Sequence, residues 1–224
     1  MSMDFKDKIA LVTGASRGFG AAAAEALAAE GAHVVALART IGALEVLDDR
    51  IKSKGGSATL APIDLTKEEA VAGICRAIYE RWGRIDLLVH AAVHAPPLAP
   101  APHSDAKDLE KTVATSVIAT GRVIRMAAPL LQVAEQGVAV FCDDPRAGQP
   151  FFGTYGASKA AQAALVTSWQ AETKRNGPRV HLFQPKPMPT AVRARFFPGE
   201  DRSKLAEPAA EAARLLEEIA GLSV

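Results

Sequence analysis

An α/β fold, a doubly wound parallel sheet in a single domain with about six strands, is predicted by three observations. Apolar runs of about six residues alternate with longer helical patterns through most of the chain, as repeated strand-helix-strand units require. The length of 224 residues suits one open sheet of this kind without a second domain. The third is composition. Hydrophobic residues make up 49% but aromatics only 5%, which calls for an aliphatic core of the sort that parallel strands covered by helices on both faces provide.

The elements follow in order. The first strand lies near Ile9–Thr13 and runs into a glycine-rich turn, after which Ala21–Glu30 is helix-forming. Strands near His33–Ala38 and Ala58–Ile63 follow. Thr66-Lys67-Glu68-Glu69 reads as a capping box opening a helix to about Trp82, where Gly83 supplies a left-handed end. A fourth strand near Ile85–His90 leads to Ala95-Pro96-Pro97-Leu98-Ala99-Pro100-Ala101-Pro102, whose four prolines forbid regular helix or central strand. This surface loop follows a strand's carboxyl end and should overhang the crevice where open α/β sheets bind ligands. A long amphipathic helix from about Asp105 to Ala134, a strand near Val138–Cys142, a helix from about Gly153 to Asn176, a strand near Val180–Gln184 and a last helix over Ala206–Ala220 complete the pattern.

Several function classes are disfavoured by composition. The formal net charge of +1, with basic residues scattered, leaves no nucleic-acid footprint. Apolar stretches are only strand-length, short of the roughly 20 residues a membrane span needs, and Met1–Lys8 lacks the apolar region of a signal peptide. Cys75 and Cys142 fit neither disulfide nor metal spacing, which suits a reducing compartment; the expectation is a soluble, cytoplasmic protein. His90 and His94 are four apart, but a strand end and a loop do not fix a metal geometry, so no metal site is expected.

The turn itself reads Thr13-Gly14-Ala15-Ser16-Arg17-Gly18-Phe19-Gly20. Glycines at 14, 18 and 20 let the backbone bend tightly and approach a pyrophosphate, which sits on the free N–H groups of the following helix. The strand before and the helix after give this Rossmann-type, dinucleotide-binding meaning. An NAD site usually carries an acid at the end of the second strand to bond the ribose 2′-hydroxyl. Here that end reads Leu37-Ala38-Arg39, so Arg39, with Arg17 from the turn, is placed to bind a 2′-phosphate and NADP(H) is the expected cofactor. Tyr155 and Lys159 stand four apart at the start of a helix, on one face. An ammonium beside a phenol lowers its pKa from near 10, equipping Tyr155 for acid-base work.

Five ordered features, namely the turn, Asp64-Leu65, Asp86-Leu87-Leu88-Val89, Tyr155-x-x-x-Lys159 and Pro185 to Thr190, resemble the short-chain dehydrogenase/reductase family over about residues 5 to 190. The stretch Thr190 to Asp201 is similar to a little-characterised bacterial branch of it. The resemblance implies that Gly14, Ser16, Arg17, Gly18, Phe19 and Gly20 cradle the cofactor with Arg39, that Asp64 and Leu65 meet the adenine, that Ala91, Pro185 and Thr190 also contact the cofactor, and that Lys159 holds the nicotinamide ribose while Tyr155 protonates a carbonyl.

The pattern is also departed from. Cys142 stands where the family has a serine that bonds the substrate carbonyl, and a thiol is a weak donor; it can equally be a small buried hydrophobe. Counting back from Pro129, Ser116 takes the place of an asparagine that helps hold a proton-relay water. His90-Ala91-Ala92-Val93 replaces asparagine-asparagine-alanine-glycine, Lys186 replaces a glycine, and the chain stops at Val224 without the usual final strand, a shortened C-terminus. The expected function is an NADP(H)-dependent oxidoreductase for a small or medium carbonyl or alcohol substrate, with Tyr155, Lys159, Cys142 and Ser116 at the reaction centre. The alternative is a weak or inactive NADP(H)-binding sensor or docking protein. A homodimer pairing the long helices around Leu109–Leu131 and Ala160–Trp169 is the expected assembly.

Overall fold

The structure, a computed structural model, describes residues 4–222; the expectations that fall on Met1 and on Val224 lie outside them. Six parallel strands, β1 Ile9–Thr13, β2 His33–Ala38, β3 Ser57–Pro62, β4 Leu87–His90, β5 Val138–Cys142 and β6 Arg179–Phe183, form one sheet in the order β3-β2-β1-β4-β5-β6. The order reverses between β1 and β4, which opens a crevice at their carboxyl ends.

Alternation along the strands sorts the core into two layers. Ala10 and Val12 of β1 face a layer completed by α1 Gly18–Ala29, α2 Ile41–Ser53 and α8 Pro208–Leu222. Ile9 and Leu11 face the other, formed by α3 Glu68–Trp82, α5 Ala119–Val133 and α6 Gly153–Thr173. Both faces of the sheet are therefore dry, as its near-continuous apolar strands require. On α1, Ala21, Ala23, Ala24 and Ala28 are all buried, so a row of small side chains lets this helix lie close to the sheet.

Three local readings change. Thr66 does not cap α3: its N–H and hydroxyl both donate to Asp64 Oδ1, at 2.9 and 2.8 Å, and the helix starts at Glu68 after an extended Lys67. An aspartate two residues upstream outcompetes the capping box for the threonine. Gly83 does close that helix in the left-handed conformation, φ 73°. The helix expected over Asp105–Ala134 is three pieces: α4 Ala106–Val113, capped by Asp105 accepting from Lys107 and Asp108 N–H, a π-helical turn Ala114–Ile118, and then α5. The π turn widens the helix where it passes the crevice, a habit of functional sites. Finally, α2 and the short α7 Ala191–Phe196 add helices that the reading of the sequence did not place.

Candidate functional site

The carboxyl ends of all six strands open onto one cavity of about 330 Å³. At its base Gly14 sits at φ +69°, and a Cβ there would lie 2.8 Å from Ala92 N; at Gly20 it would lie 2.4 Å from Gly14 O. Neither position accepts a side chain, so the turn is pressed against β4's end and leaves bare backbone facing the cavity. Arg17 precedes α1 in extended conformation, and the first helical turn has no side-chain cap and no acidic residue. Its N–H groups and dipole are thus available to an anion. Phe19 turns inward and stacks on Phe183, centroids 5.3 Å apart, anchoring the helix start.

Of the residues expected to matter, Gly14, Ser16, Arg17, Gly18, Phe19, Gly20, Arg39, Asp64, Leu65, Ala91, Cys142, Tyr155, Lys159, Pro185 and Thr190 all line this cavity. Ser116 does not. It lies buried in the π turn, its hydroxyl has no partner among the described residues, and its neighbour Thr115 reaches the cavity instead. Spacing from Pro129 finds the position in the chain but not its orientation, and within the π turn it is Thr115 that meets the cavity. Asp64 is pulled up by burial but held lower overall by the two Thr66 hydrogen bonds and the nearby Arg39 charge. Thr190 caps α7, its hydroxyl accepting from Arg193 N–H at 3.2 Å. Lys186 is tied by its backbone N–H to Glu211 Oε2 on α8, 2.9 Å.

The reaction centre departs from expectation in one respect. Lys159 does not depress the Tyr155 phenol. Its ammonium, almost fully buried, donates to Cys142 O at 2.5 Å and to Gln162 Oε1, while the Tyr155 hydroxyl donates to Asp144 Oδ2 at 3.2 Å. Burial first, and then the Asp144 carboxylate, drive the phenol's pKa well above its ordinary value of 10, and burial lowers that of Lys159. Tyr155 is therefore held as a neutral proton donor. The Cys142 thiol is pushed up to about 12, chiefly by burial, so it is no nucleophile.

Asp144 was missed in the sequence. It lies in the loop after β5, where two consecutive carboxylates, Asp143 and Asp144, at a parallel strand's carboxyl end are a legible signal. Arg146 Nε pairs with Asp144 at 2.7 Å. Behind Tyr155, Phe152 and Phe196 make an aromatic wall, with Tyr155–Phe196 centroids at 4.8 Å, and Val93, Val192 and Phe197 pack against it. The branched side chain at Val93 is thus absorbed into the apolar wall. The proline-rich loop passes beside Tyr155, pinned by Arg195 to Ala95 O at 2.9 Å, and lines a second cavity of about 180 Å³ that shares this tyrosine.

His90 is fully buried under the site, bonded to Thr13 and Thr120. Burial, and then the Lys159 charge, hold it down at about 3 against an ordinary 6.5. Between those values the unfolded chain binds a proton that the folded chain refuses, so this contribution to stability is present above about pH 6.5 and lost as pH falls towards 3. His33 and His94, also lowered chiefly by burial, act in the same sense. His90→Asn is expected to flatten the unfolding free energy against pH in that window by about one proton, ~1.4 kcal/mol per pH unit. Denaturant titrations across the window check it, and an unchanged slope would refute the buried neutral imidazole.

Comparison with known proteins accords with this geometry. The family model for short chain dehydrogenases matches residues 8–201. A glycine betaine reductase of Emericella nidulans is 33% identical over 205 residues, covering 90% of this chain and 16% of that protein. A fatty acyl-CoA reductase of Mycobacterium tuberculosis is 34% identical over 185 residues, 76% of this chain and 60% of that protein. The chain thus spans at most 60% of the length of these two relatives. Among solved structures, a short chain dehydrogenase of Shigella flexneri complexed with NADP superposes with a TM-score of 0.90 at 28% identity, covering 97% of this chain and 93% of that one. One from Escherichia coli complexed with NADPH gives 0.90 at 29%, covering 97% and 92%. No helix among the described residues is long and apolar enough to cross a membrane. With the matched region running from β1 past α7, and its glycine turn, tyrosine and lysine gathered in one cavity, the chain belongs to the short-chain dehydrogenase/reductase family of oxidoreductases.

Proposed function

We propose that the protein is an NADP(H)-dependent reductase of a small or medium carbonyl compound, or in reverse a dehydrogenase of the corresponding alcohol. The observation that carries this reading is the convergence of the bare glycine turn, Arg17, Arg39, Tyr155 and Lys159 on one cavity. The cofactor fits the residues present: a Cβ at Gly14 or Gly20 would strike the backbone of Ala92 or Gly14, so the turn meets the cavity as bare backbone beside the uncapped first N–H groups of α1. The turn would hold the pyrophosphate, the two arginines the 2′-phosphate and Lys159 the nicotinamide ribose. When bound, NADPH supplies hydride to the carbonyl carbon.

The chain's own residues manage the proton. Tyr155 holds one on its hydroxyl, aimed at Asp144, and a carbonyl oxygen entering the site replaces that carboxylate as the acceptor. Arg146 retains Asp144 when it is displaced. The aromatic wall of Phe152 and Phe196 excludes water from the phenol and suits an apolar substituent. Exposed Leu109, Ile118 and Leu165 on the α4 to α6 side support a homodimer through that face.

A second reading is favoured by the Tyr155–Asp144 bond and by Ser116 lying outside the cavity: a nucleotide-binding sensor that turns nothing over. Calorimetry with NADPH, followed by NADPH oxidation across a panel of aldehydes and ketones, separates the two. Turnover with any member establishes the reductase; tight binding with a silent panel leaves the sensor; no binding at millimolar cofactor sinks both.

A further inference from the structure

Beneath the cavity a line of buried polar side chains runs from Lys159 through Gln162, Thr120 and His90 to Thr13, each at most 5% exposed. The donor and acceptor at each link of it are determined. Lysine offers only donors, so Gln162 must present its Oε1 to the ammonium, which turns its Nε2 towards Thr120 Oγ1, 3.0 Å away. Thr120 Oγ1 lies 2.7 Å from Ser116 O, a separation at which two oxygens need a proton between them, so its one hydroxyl proton is spent there. The His90 Nε2 atom, 3.0 Å from the same Oγ1, must then donate to it. Nδ1 is left bare and accepts the Thr13 hydroxyl at 2.9 Å, and Thr13 Oγ1 accepts Ala92 N–H at 3.3 Å.

We infer that Gln162, Thr120 and His90 are positioning residues that fix the Lys159 ammonium in the cavity, tie it to the strand end carrying the glycine turn, and leave one of its N–H groups free for a bound molecule. The count supports this. Of three ammonium protons, one goes to Cys142 O and one to Gln162 Oε1. Thr13, at the far end, directly precedes Gly14, and Ala92 N is the atom that a Cβ at Gly14 would strike. The amide of Gln162 has no readily lost proton, so the line sets geometry and does not conduct protons. Its middle is held fast: Thr120 is anchored to the main chain of the π turn, and the His90 ring packs on Phe141, centroids 5.5 Å apart. A buried polar line satisfied at every atom specifies one arrangement and penalises any other.

The inference rests on Lys159 serving the proposed cofactor site, and its test separates the two claims. Gln162→Met keeps length and bulk but offers no acceptor; Gln162→Glu restores an acceptor for the ammonium. In the full chain, Gln162→Met is expected to lower kcat roughly 10- to 100-fold, as misplacement of a site group by about an ångström does, with the carbonyl KM little changed and NADPH affinity reduced several-fold. Gln162→Glu, which keeps the acceptor for the ammonium but gives up the donor to Thr120, is expected to recover part of both. Nitrogen chemical shifts of the wild-type imidazoles at neutral pH are expected to show His90 protonated on Nε2 alone. Wild-type kcat and NADPH affinity in a folded Gln162→Met variant would overturn the inference, and so would a His90 protonated on Nδ1. If the wild type turns over no carbonyl, the reductase reading falls, while NADPH affinity and the tautomer still decide the positioning line. If Gln162→Met does not fold, the tautomer and the Gln162→Glu affinity decide it.

Discussion

Tyr155→Phe is expected to abolish carbonyl reduction, with kcat falling by about 10²- to 10⁴-fold, the span that loss of a positioned general acid produces. The loss should be confined to chemistry. The ring of Tyr155 is packed against Phe152 and Phe196, at centroid distances of 6.3 and 4.8 Å, and phenylalanine keeps those contacts. Removing the hydroxyl leaves Asp144 paired with Arg146 at 2.7 Å, so no carboxylate is stranded. NADPH affinity and thermal stability should therefore stay near wild type. Because burial and Asp144 raise the phenol far above its ordinary 10, the wild-type tyrosine keeps its proton throughout the physiological range, and no basic limb of the rate profile should arise from it in the free enzyme. Stopped-flow or steady-state oxidation of NADPH measures the first quantity and calorimetry the second. Turnover preserved in the variant would mean that the proton comes from another group, of which Asp144 is the nearest, and the assignment of Tyr155 would have to be withdrawn.

How much of this was legible beforehand depended on range. The strands were legible because both faces of the sheet are covered, so runs such as Ile9–Thr13 and Val138–Cys142 are apolar without interruption. The glycine turn was legible because its demands are local: Gly14 and Gly18 take positive φ, and Gly20 must lack a Cβ. Arg39 was legible as the residue that follows β2's Ala38. What escaped was set by competition between neighbours or by folding across distance. Thr66 had two acceptable roles, and Asp64 decided between them. The π turn is invisible to a hydrophobic period, and so is the fact that Thr115, not Ser116, meets the cavity from it. Lys159 has a phenol four residues away but reaches Cys142 O and Gln162 Oε1, because burial makes two fixed acceptors worth more than one shared proton. The partner of Tyr155 is eleven residues upstream, on a loop whose path no spacing rule describes.

The choice between the two nicotinamide dinucleotides is expected to turn on Arg39. Both Arg39 and Arg17 are exposed and line the cavity, Arg39 at the end of β2 and Arg17 at the mouth of α1. A guanidinium that forks onto a phosphate contributes about 1.5–3 kcal/mol, so Arg39→Ala should weaken NADPH about 10- to 150-fold and leave NADH unchanged. Arg39→Asp should go further, because a carboxylate repels the 2′-phosphate and accepts from the free 2′-hydroxyl of NADH, reversing the preference. Arg17→Ala should act in the same direction, and more gently if its charge is solvated without a fork. Because these are exposed charges, the discrimination should shrink as salt rises through physiological strength, where the screening length is roughly 8 Å. Calorimetric titration of both dinucleotides into wild type and variants reads these differences directly. Equal weakening of NADPH and NADH by Arg39→Ala would show that the arginine holds a group common to both, and the 2′-phosphate would need another site. The two arginines are a surface feature and the glycine turn a backbone one, so that result would leave pyrophosphate binding untouched.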